Sequence, residues 1–370
     1  MKKILLMYIS EHSGHHQASI ALEKALLVKD PTCSVLNINA FKYTNPIIEK
    51  FTHKAYMGLI KKRPEVWSYL YDNPLVVKKT ERIRNFVHKT GSKKIDKLIR
   101  QFRPDAIGCT QAFPCGIIAN YKRIHQVDIP LVGVLTDYAP HAYWIYKEVD
   151  AYIVPSDEIR SVFIKRGIPA KKIKVFGTPV DPLFETSLNK NEIYKKIGLS
   201  QDPIILVMGG THGIGPDERL IRVLDCSKKD FQIIVVTGIN KKLFKKIKNI
   251  ERFLKKKIIT MEFVHNIHEL MEISNLIITK PGGLTVAEAL AKSLPMIILN
   301  PLPGQEDLNT KILTAKGVAI KAQNEYDAVS IAEELLDNPD EIKKIQEVIR
   351  ASAKPHSASD VAEFLLQLAD

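Results

Sequence analysis

Three histidines fall within five positions in Ser10-Glu11-His12-Ser13-Gly14-His15-His16-Gln17-Ala18-Ser19, between an apolar run and a helix-periodic stretch. Imidazole titrates near physiological pH, so a neutral histidine held there can take the proton of an attacking alcohol. One histidine at such a place is equally well a cap or a satisfied loop residue; three beside a glycine favour chemistry. A second polar cluster, Leu135-Thr136-Asp137-Tyr138-Ala139-Pro140-His141-Ala142-Tyr143-Trp144, also follows an apolar run. Asp137 there either assists a base or caps the next turn, and His141, Tyr143 and Trp144 are placed to shape an acceptor pocket.

A different chemistry is written in Lys280-Pro281-Gly282-Gly283-Leu284-Thr285-Val286-Ala287-Glu288. Two glycines stand between the apolar run Leu276 to Thr279 and a helix expected to open at Leu284 or Thr285. Backbone amides and the positive end of a helix dipole converge there, which suits a diphosphate. One turn into that helix Glu288 reaches a ribose hydroxyl, and Gln305-Glu306 begin a second loop after the apolar run Met296 to Leu299. The turn Met208-Gly209-Gly210-Thr211-His212-Gly213-Ile214-Gly215 is a weak phosphate signal alone, but coupled to Gly282-Gly283 it makes a two-sided cradle. Phe263-Val264, ending a strand, either flank a uracil with their amides or close an ordinary core strand. The implied ligand is a nucleoside diphosphate carrying a polyhydroxylated group. No Asp-x-Asp and no His/Cys/Asp/Glu set with metal spacing occurs, so no metal is expected and leaving-group charge falls to amides, a helix dipole and Lys280.

Short apolar runs alternating with amphipathic stretches must position these groups, the pattern of α/β parallel sheets covered by helices. Strands are expected at Ile4–Ile9, Ser34–Ile38, Ala106–Cys109, Leu131–Leu135, Ala151–Val154 and Ile173–Phe176, then at Ile204–Met208, Gln232–Thr237, Ile258–Phe263, Leu276–Thr279 and Met296–Leu299. Two Rossmann-like, doubly wound domains follow, 1–179 and 180–352, with a C-terminal helix at 353–370 able to cross back to the first. Between 41 and 103 the strand pattern lapses into a helical insertion rich in bases and aromatics, including Trp67, Tyr71, Lys78, Lys79, Arg82 and Arg84. It reads either as a segment dipping into a lipid interface or as a helical hairpin with a solvated basic face. The run Lys241 to Lys257 reads as a solvated helix face whose buried stripe is Leu243, Ile247 and Leu254.

Bulk properties narrow the class. A chain of 370 residues, 45% hydrophobic and 26% charged, suits two globular domains, and no stretch approaches a membrane span. The apolar N-terminus is too short for a signal peptide and reads as a buried strand. Four cysteines without a CxxC pair suggest buried reduced thiols in a cytoplasmic protein. A formal charge of +13 favours a polyanion. No nucleic-acid reader motif accompanies it, which leaves an anionic membrane surface as the partner.

Several motifs in order, Gly14-His15-x-x-Ala18-x-x-Ala21-Leu22, Thr136-Asp137 with His141 and Trp144, Gly177-x-Pro179-Val180, Met208-Gly209-Gly210, Pro281-Gly282-Gly283-x-Thr285-x-x-Glu288-Ala289 and Pro303-Gly304-Gln305-Glu306, carry a resemblance over nearly the whole chain. It resembles the diacylglycerol glycosyltransferases, the monogalactosyldiacylglycerol synthases and processive diacylglycerol glucosyltransferases of glycosyltransferase family 28. More distantly it is similar to the lipid II-forming N-acetylglucosaminyltransferase of peptidoglycan synthesis. The resemblance implies a GT-B fold, with two domains facing a cleft. It also implies UDP-glucose or UDP-galactose in the C-terminal domain, diacylglycerol or a related membrane lipid in the N-terminal domain, and inversion without metal or further cofactor. The location implied is the inner face of the cell membrane, as a peripheral protein.

Carried onto this sequence, the resemblance makes His15 the catalytic-base candidate, Glu288 the ribose ligand, and Gln305 and Glu306 the sugar-hydroxyl ligands; Asp137 is the catalytic candidate added by the residue reading above. Gly209, Gly210, Phe263, Val264, Gly282, Gly283 and Thr285 complete the donor set. Many family members have a more glycine-rich loop where His12-Ser13 stand, and His16 adjoins His15, so which imidazole faces the acceptor is open. Two rivals share the architecture. A UDP-sugar 2-epimerase would need extra carboxylates near the sugar and no lipid-facing surface; a nucleotide-sugar-sensing regulator would bind without turnover.

Overall fold

The computed structural model describes residues 1–44, 93–138 and 142–370. Most of the insertion expected at 41–103, with Trp67 and Tyr71, lies outside the described residues, and so does His141. The chain divides into two units, Met1–Pro182 with Pro303–Gln305 and His356–Asp370, and Leu183–Leu302 with Glu306–Pro355.

The first unit holds six strands, β1 (Lys3–Tyr8), β2 (Ser34–Asn39), β3 (Ala106–Cys109), β4 (Leu131–Val134), β5 (Ala151–Ile153) and β6 (Ile173–Lys174). All neighbours are parallel, in the order β2-β1-β3-β4-β5-β6. Ile4, Leu5, Leu6 and Met7 are fully buried although successive side chains point to opposite faces. Helices on both faces require that, so the strand reads as an unbroken apolar run and not an alternating one. On one face Ile4, Leu6, Val132, Val134 and Ile153 pack with Leu22 and Leu26 of the helix Gly14–Lys29, and with Val361 and Leu365 of the terminal helix Ser357–Leu368. That last helix is tied in by polar contacts. The Ser357 hydroxyl donates to the Thr178 carbonyl at 2.8 Å and accepts the Val180 N–H at 3.3 Å, while Lys2 Nζ reaches the Leu366 carbonyl at 2.8 Å.

The second unit repeats the plan with β7 (Ile204–Met208), β8 (Gln232–Val236), β9 (Ile258–Met261), β10 (Leu276–Thr279), β11 (Met296–Ile298) and β12 (Ala319–Lys321). Its parallel order is β12-β11-β10-β7-β8-β9. Strand β12 was not expected: it is three residues at a sheet edge, and only Ala319 of it is buried, too little hydrophobic signal to register. In each sheet the strand order reverses once, between β1 and β3 in the first and between β7 and β10 in the second. Ligands of doubly wound sheets bind beyond the carboxyl ends of the strands at such points.

Candidate functional site

In the first unit the register aligns Met7 with Cys109 and Cys109 with Gly133, so the loops after β1, β3 and β4 emerge side by side. Beyond β1 the chain turns through Ser10 and His12, both at positive φ (63° and 58°), and enters the helix Gly14–Lys29. Ser13 caps it: its Oγ accepts the His16 N–H at 3.2 Å and donates to the Ser10 carbonyl at 2.7 Å. That places His15 in the first turn, with its Nδ1 2.6 Å from Thr136 Oγ1 and its carbonyl accepting the Thr110 hydroxyl at 2.8 Å.

Burial lowers the pKa of His15 from the ordinary imidazole value; the charge of half-buried Asp137 and a backbone hydrogen bond at Thr110 pull the other way. The outcome is a neutral ring at pH 7, the form that accepts a proton. His16 is held differently. Its ring stacks on Tyr8 at 4.1 Å and 19°, and its Nδ1 accepts the His12 N–H at 3.3 Å. His15 therefore meets Thr136 and feels Asp137, whereas His16 braces the loop.

Two sequence expectations change, one in this unit and one in the other. Trp144 is 4% exposed, its carbonyl accepts the Tyr152 hydroxyl at 2.9 Å, and its ring lies against Gly133 of β4, so it packs into the core of the unit. Of the four cysteines, Cys33, Cys109 and Cys115 are buried free thiols, but Cys226 is exposed, because it closes the C-terminal end of the helix Glu218–Asp225.

In the second unit, Gly209-Gly210 follow β7 and Gly282-Gly283 follow β10, the two strands flanking the reversal. A Cβ on Gly209 would stand 2.4 Å from the Ile214 carbonyl oxygen, and Gly210 has φ +64°, so only glycines let this loop fold back on itself. The amides of Gly213 and Ile214 are used inside the loop, bonding to the Gly210 and Gly209 carbonyls, which leaves fewer donors for a ligand than the glycine count suggests. The facing helix runs Gly283–Ala291, one residue earlier than expected, with Gly282 as its N-cap. A glycine cap has no side chain to cover the first-turn amides of Gly283, Leu284 and Thr285, which have no acceptor within the helix. Thr285 is buried and Glu288 half-buried one turn along the same face.

Lys280 is the centre of this cluster. Side-chain atoms of Lys280 lie 3.8 Å from a Cβ built on Gly210, 3.5 Å from one on Gly215, and 3.5 Å from one on Gly282. Its Nζ pairs with Glu306 Oε1 at 2.5 Å, and the other Glu306 oxygen accepts the Leu302 N–H at 2.8 Å. Gln305 and Glu306 do not begin a loop: they open the helix Gln305–Ala315. Phe263-Val264 do not end a strand either. β9 stops at Met261, they lie in the bend beyond it, and the Phe263 ring packs edge-on against His265 at 5.1 Å. The end of β8 stands between them and the glycine loop: the Thr237 N–H donates to the Met261 carbonyl at 2.9 Å and the Ile239 N–H to the Thr211 carbonyl at 2.8 Å.

Two supporting residues escaped the sequence reading. Thr110 follows β3 directly and Thr136 follows β4 after Leu135, a threonine ending an apolar run in both cases, and that parallel was the available signal. Asn309, fully buried, donates to the Pro281 carbonyl at 2.8 Å and fixes the turn carrying Gly282; only an asparagine on the inward side of a helix hinted at it. Among the described residues no helix is long and apolar enough to cross a membrane.

Residues 15–180 match the monogalactosyldiacylglycerol (MGDG) synthase family, and residues 204–365 match the glycosyltransferase family 28 C-terminal domain. A processive diacylglycerol beta-glucosyltransferase of Bacillus pumilus is 28% identical over 370 residues, 100% of this chain and 96% of the relative. Among solved structures, MurG of Acinetobacter baumannii is similar with a TM-score of 0.64 at 14% identity, over 99% of this chain and 100% of that one. The UDP-GlcNAc 2-epimerase of Neisseria meningitidis, bound to UDP-GlcNAc, has a TM-score of 0.61 at 14% identity over the same shares. At such identity the likeness to solved structures is one of fold, and that fold is GT-B. With two family domains in series and a relative matched end to end, the chain belongs to the monogalactosyldiacylglycerol synthase and processive diacylglycerol glucosyltransferase family.

Proposed function

We propose that the protein transfers glucose from UDP-glucose to the free hydroxyl of diacylglycerol, with inversion at the anomeric carbon and without a metal ion. The observation that carries the reading is a half-buried, neutral imidazole at the strand reversal of the first sheet, and a glycine loop and helix start around Lys280 at that of the second. Acceptor chemistry thus belongs to the first unit and donor chemistry to the second. Glucose is favoured over galactose by the relative matched end to end, a beta-glucosyltransferase; a β-linked product from an α-linked nucleotide sugar requires inversion.

In the proposed step the acceptor hydroxyl gives its proton to the His15 imidazole while its oxygen bonds to the sugar C1. The bond from C1 to the diphosphate breaks, and UDP leaves with the electron pair. First-turn amides of the helix Gly283–Ala291, its dipole and Lys280 meet the developing charge, and His15 then releases its proton to water. Glu288 takes the ribose hydroxyls, Gln305 and Glu306 the sugar hydroxyls, and the backbone at Phe263-Val264 the uracil.

Incubation with labelled UDP-glucose or UDP-galactose and diacylglycerol vesicles, followed by separation of the lipids, tests the reading. A labelled glucolipid is expected. Label confined to an epimerised nucleotide sugar would establish the epimerase instead, and tight nucleotide binding with no product the sensor.

A further inference from the structure

The most basic described surface of the second unit starts beside the glycine loop, where the Asn240 side-chain amide donates to the Gly213 carbonyl at 3.0 Å, and runs from there along the next helix. From Lys241 to Lys257 the chain carries nine Lys and Arg against one carboxylate, Glu251. The helix Lys241–Glu251 turns Ile247 fully inward and half-buries Leu243 and Phe244, which fixes its outward face. At 100° per residue Lys241, Lys242, Lys245, Lys246, Lys248 and Arg252 spread over that face, and Glu251 falls to its side. Glu251 pairs with Lys248 at 3.0 Å; among the described residues no carboxylate pairs with Lys241, Lys242, Lys245 or Lys246.

A merely solvated face would be polar throughout, and this one is not. Phe253, just past the helix end, is 71% exposed, and Ile239, just before its start, is 42% exposed. The Arg252 guanidinium lies 4.6 Å from the Phe253 ring centre, a cation held above an aromatic that projects into water. Beside the helix end a shallow open hollow is lined by four bases, Lys248, Arg252, Lys256 and Lys257, with Glu251 and Ile258.

We propose that this face is a membrane-docking surface, which seats on an anionic bilayer with the lysines over lipid phosphates and Phe253 and Ile239 entering the headgroup region. Uncompensated charge on one helical face with apolar residues at both ends complements such a bilayer. A nucleic acid would match the charge but gives no reason for an exposed phenylalanine and isoleucine without a groove. The proposal does not depend on the reaction and gives the donor-binding unit a lipid contact of its own.

Co-sedimentation of the full chain with phosphatidylglycerol-phosphatidylcholine vesicles tests it. Replacing Lys241, Lys242, Lys245 and Lys246 together by Ser is expected to lower vesicle partitioning at least about tenfold at low salt, since each basic residue near an anionic surface adds to the attraction. Wild-type binding is expected to weaken between about 0.05 and 0.5 M salt as the Debye length shrinks. Phe253→Trp is expected to add emission that is quenched by lipids brominated near the top of the acyl chain, with the fold unchanged because position 253 is exposed. Undiminished partitioning of the quadruple variant, or emission from the introduced indole untouched by brominated lipid, overturns the proposal. So does selective loss of oligonucleotide binding with vesicle binding intact.

Discussion

His15 Nδ1 stands 2.6 Å from the hydroxyl of Thr136, a residue 121 positions away in sequence. The contact orients one ring nitrogen and leaves the imidazole's other nitrogen as the candidate proton acceptor. His15→Ala should lower turnover roughly a hundredfold or more while UDP affinity stays close to wild type, because a lost base acts on the transition state and not on donor binding. Turnover assays with calorimetry in parallel separate the two, and near-normal turnover would remove His15 from the mechanism.

The pH profile carries a signed expectation. Burial lowers the His15 pKa and Asp137 raises it, so the acidic limb of kcat/KM should lie below the ordinary imidazole value of about 6.5. Asp137→Asn deletes the raising charge and should move that limb further toward acid. Movement toward neutral pH would show that another group titrates.

His16 should behave as structure. A phenyl ring at position 16 preserves the stack on Tyr8 but loses the acceptor for the His12 N–H. One such bond contributes about 0.5 to 1.5 kcal/mol, so His16→Phe should melt slightly lower and keep turnover within about threefold of wild type, a change of under 1 kcal/mol. A loss as large as that of His15→Ala would make His16 the base.

For the donor site, Glu288→Ala should weaken UDP binding at least about tenfold, since a hydrogen bond to a carboxylate contributes about 1.5 to 3 kcal/mol. Lys280 and Glu306 make a sharper pair, their side chains 15% and 9% exposed. Lys280→Met strands a buried carboxylate and should cost about 3 kcal/mol of stability. Adding Glu306→Gln should recover part of the melting temperature and none of the UDP affinity. Recovered affinity in the double variant would show the lysine to be structural.

Transfer should continue in excess EDTA, because the proposed leaving-group stabilisers are amides, a helix dipole and Lys280. Loss of product that returns with added magnesium or manganese would contradict the metal-free mechanism.

Glycines, prolines and apolar runs are local features, and they announced eleven of the twelve strands and the two glycine turns, because a strand buried on both faces must be continuously apolar. The placement of the motifs was equally legible: a histidine cluster after β1, and a glycine pair opening a helix after β10. Pairing was not. That His15 meets Thr136 while His16 turns to Tyr8 depends on the register of β1, β3 and β4 and on a cap at Ser13 that rotates the first helical turn. Burial of Trp144, the partnership of Lys280 with Glu306, and Asn309 under Pro281 join residues far apart in sequence or hidden by packing. Nothing at any one position encodes them, because the distance between two side chains on different strands is fixed only when the sheet has closed.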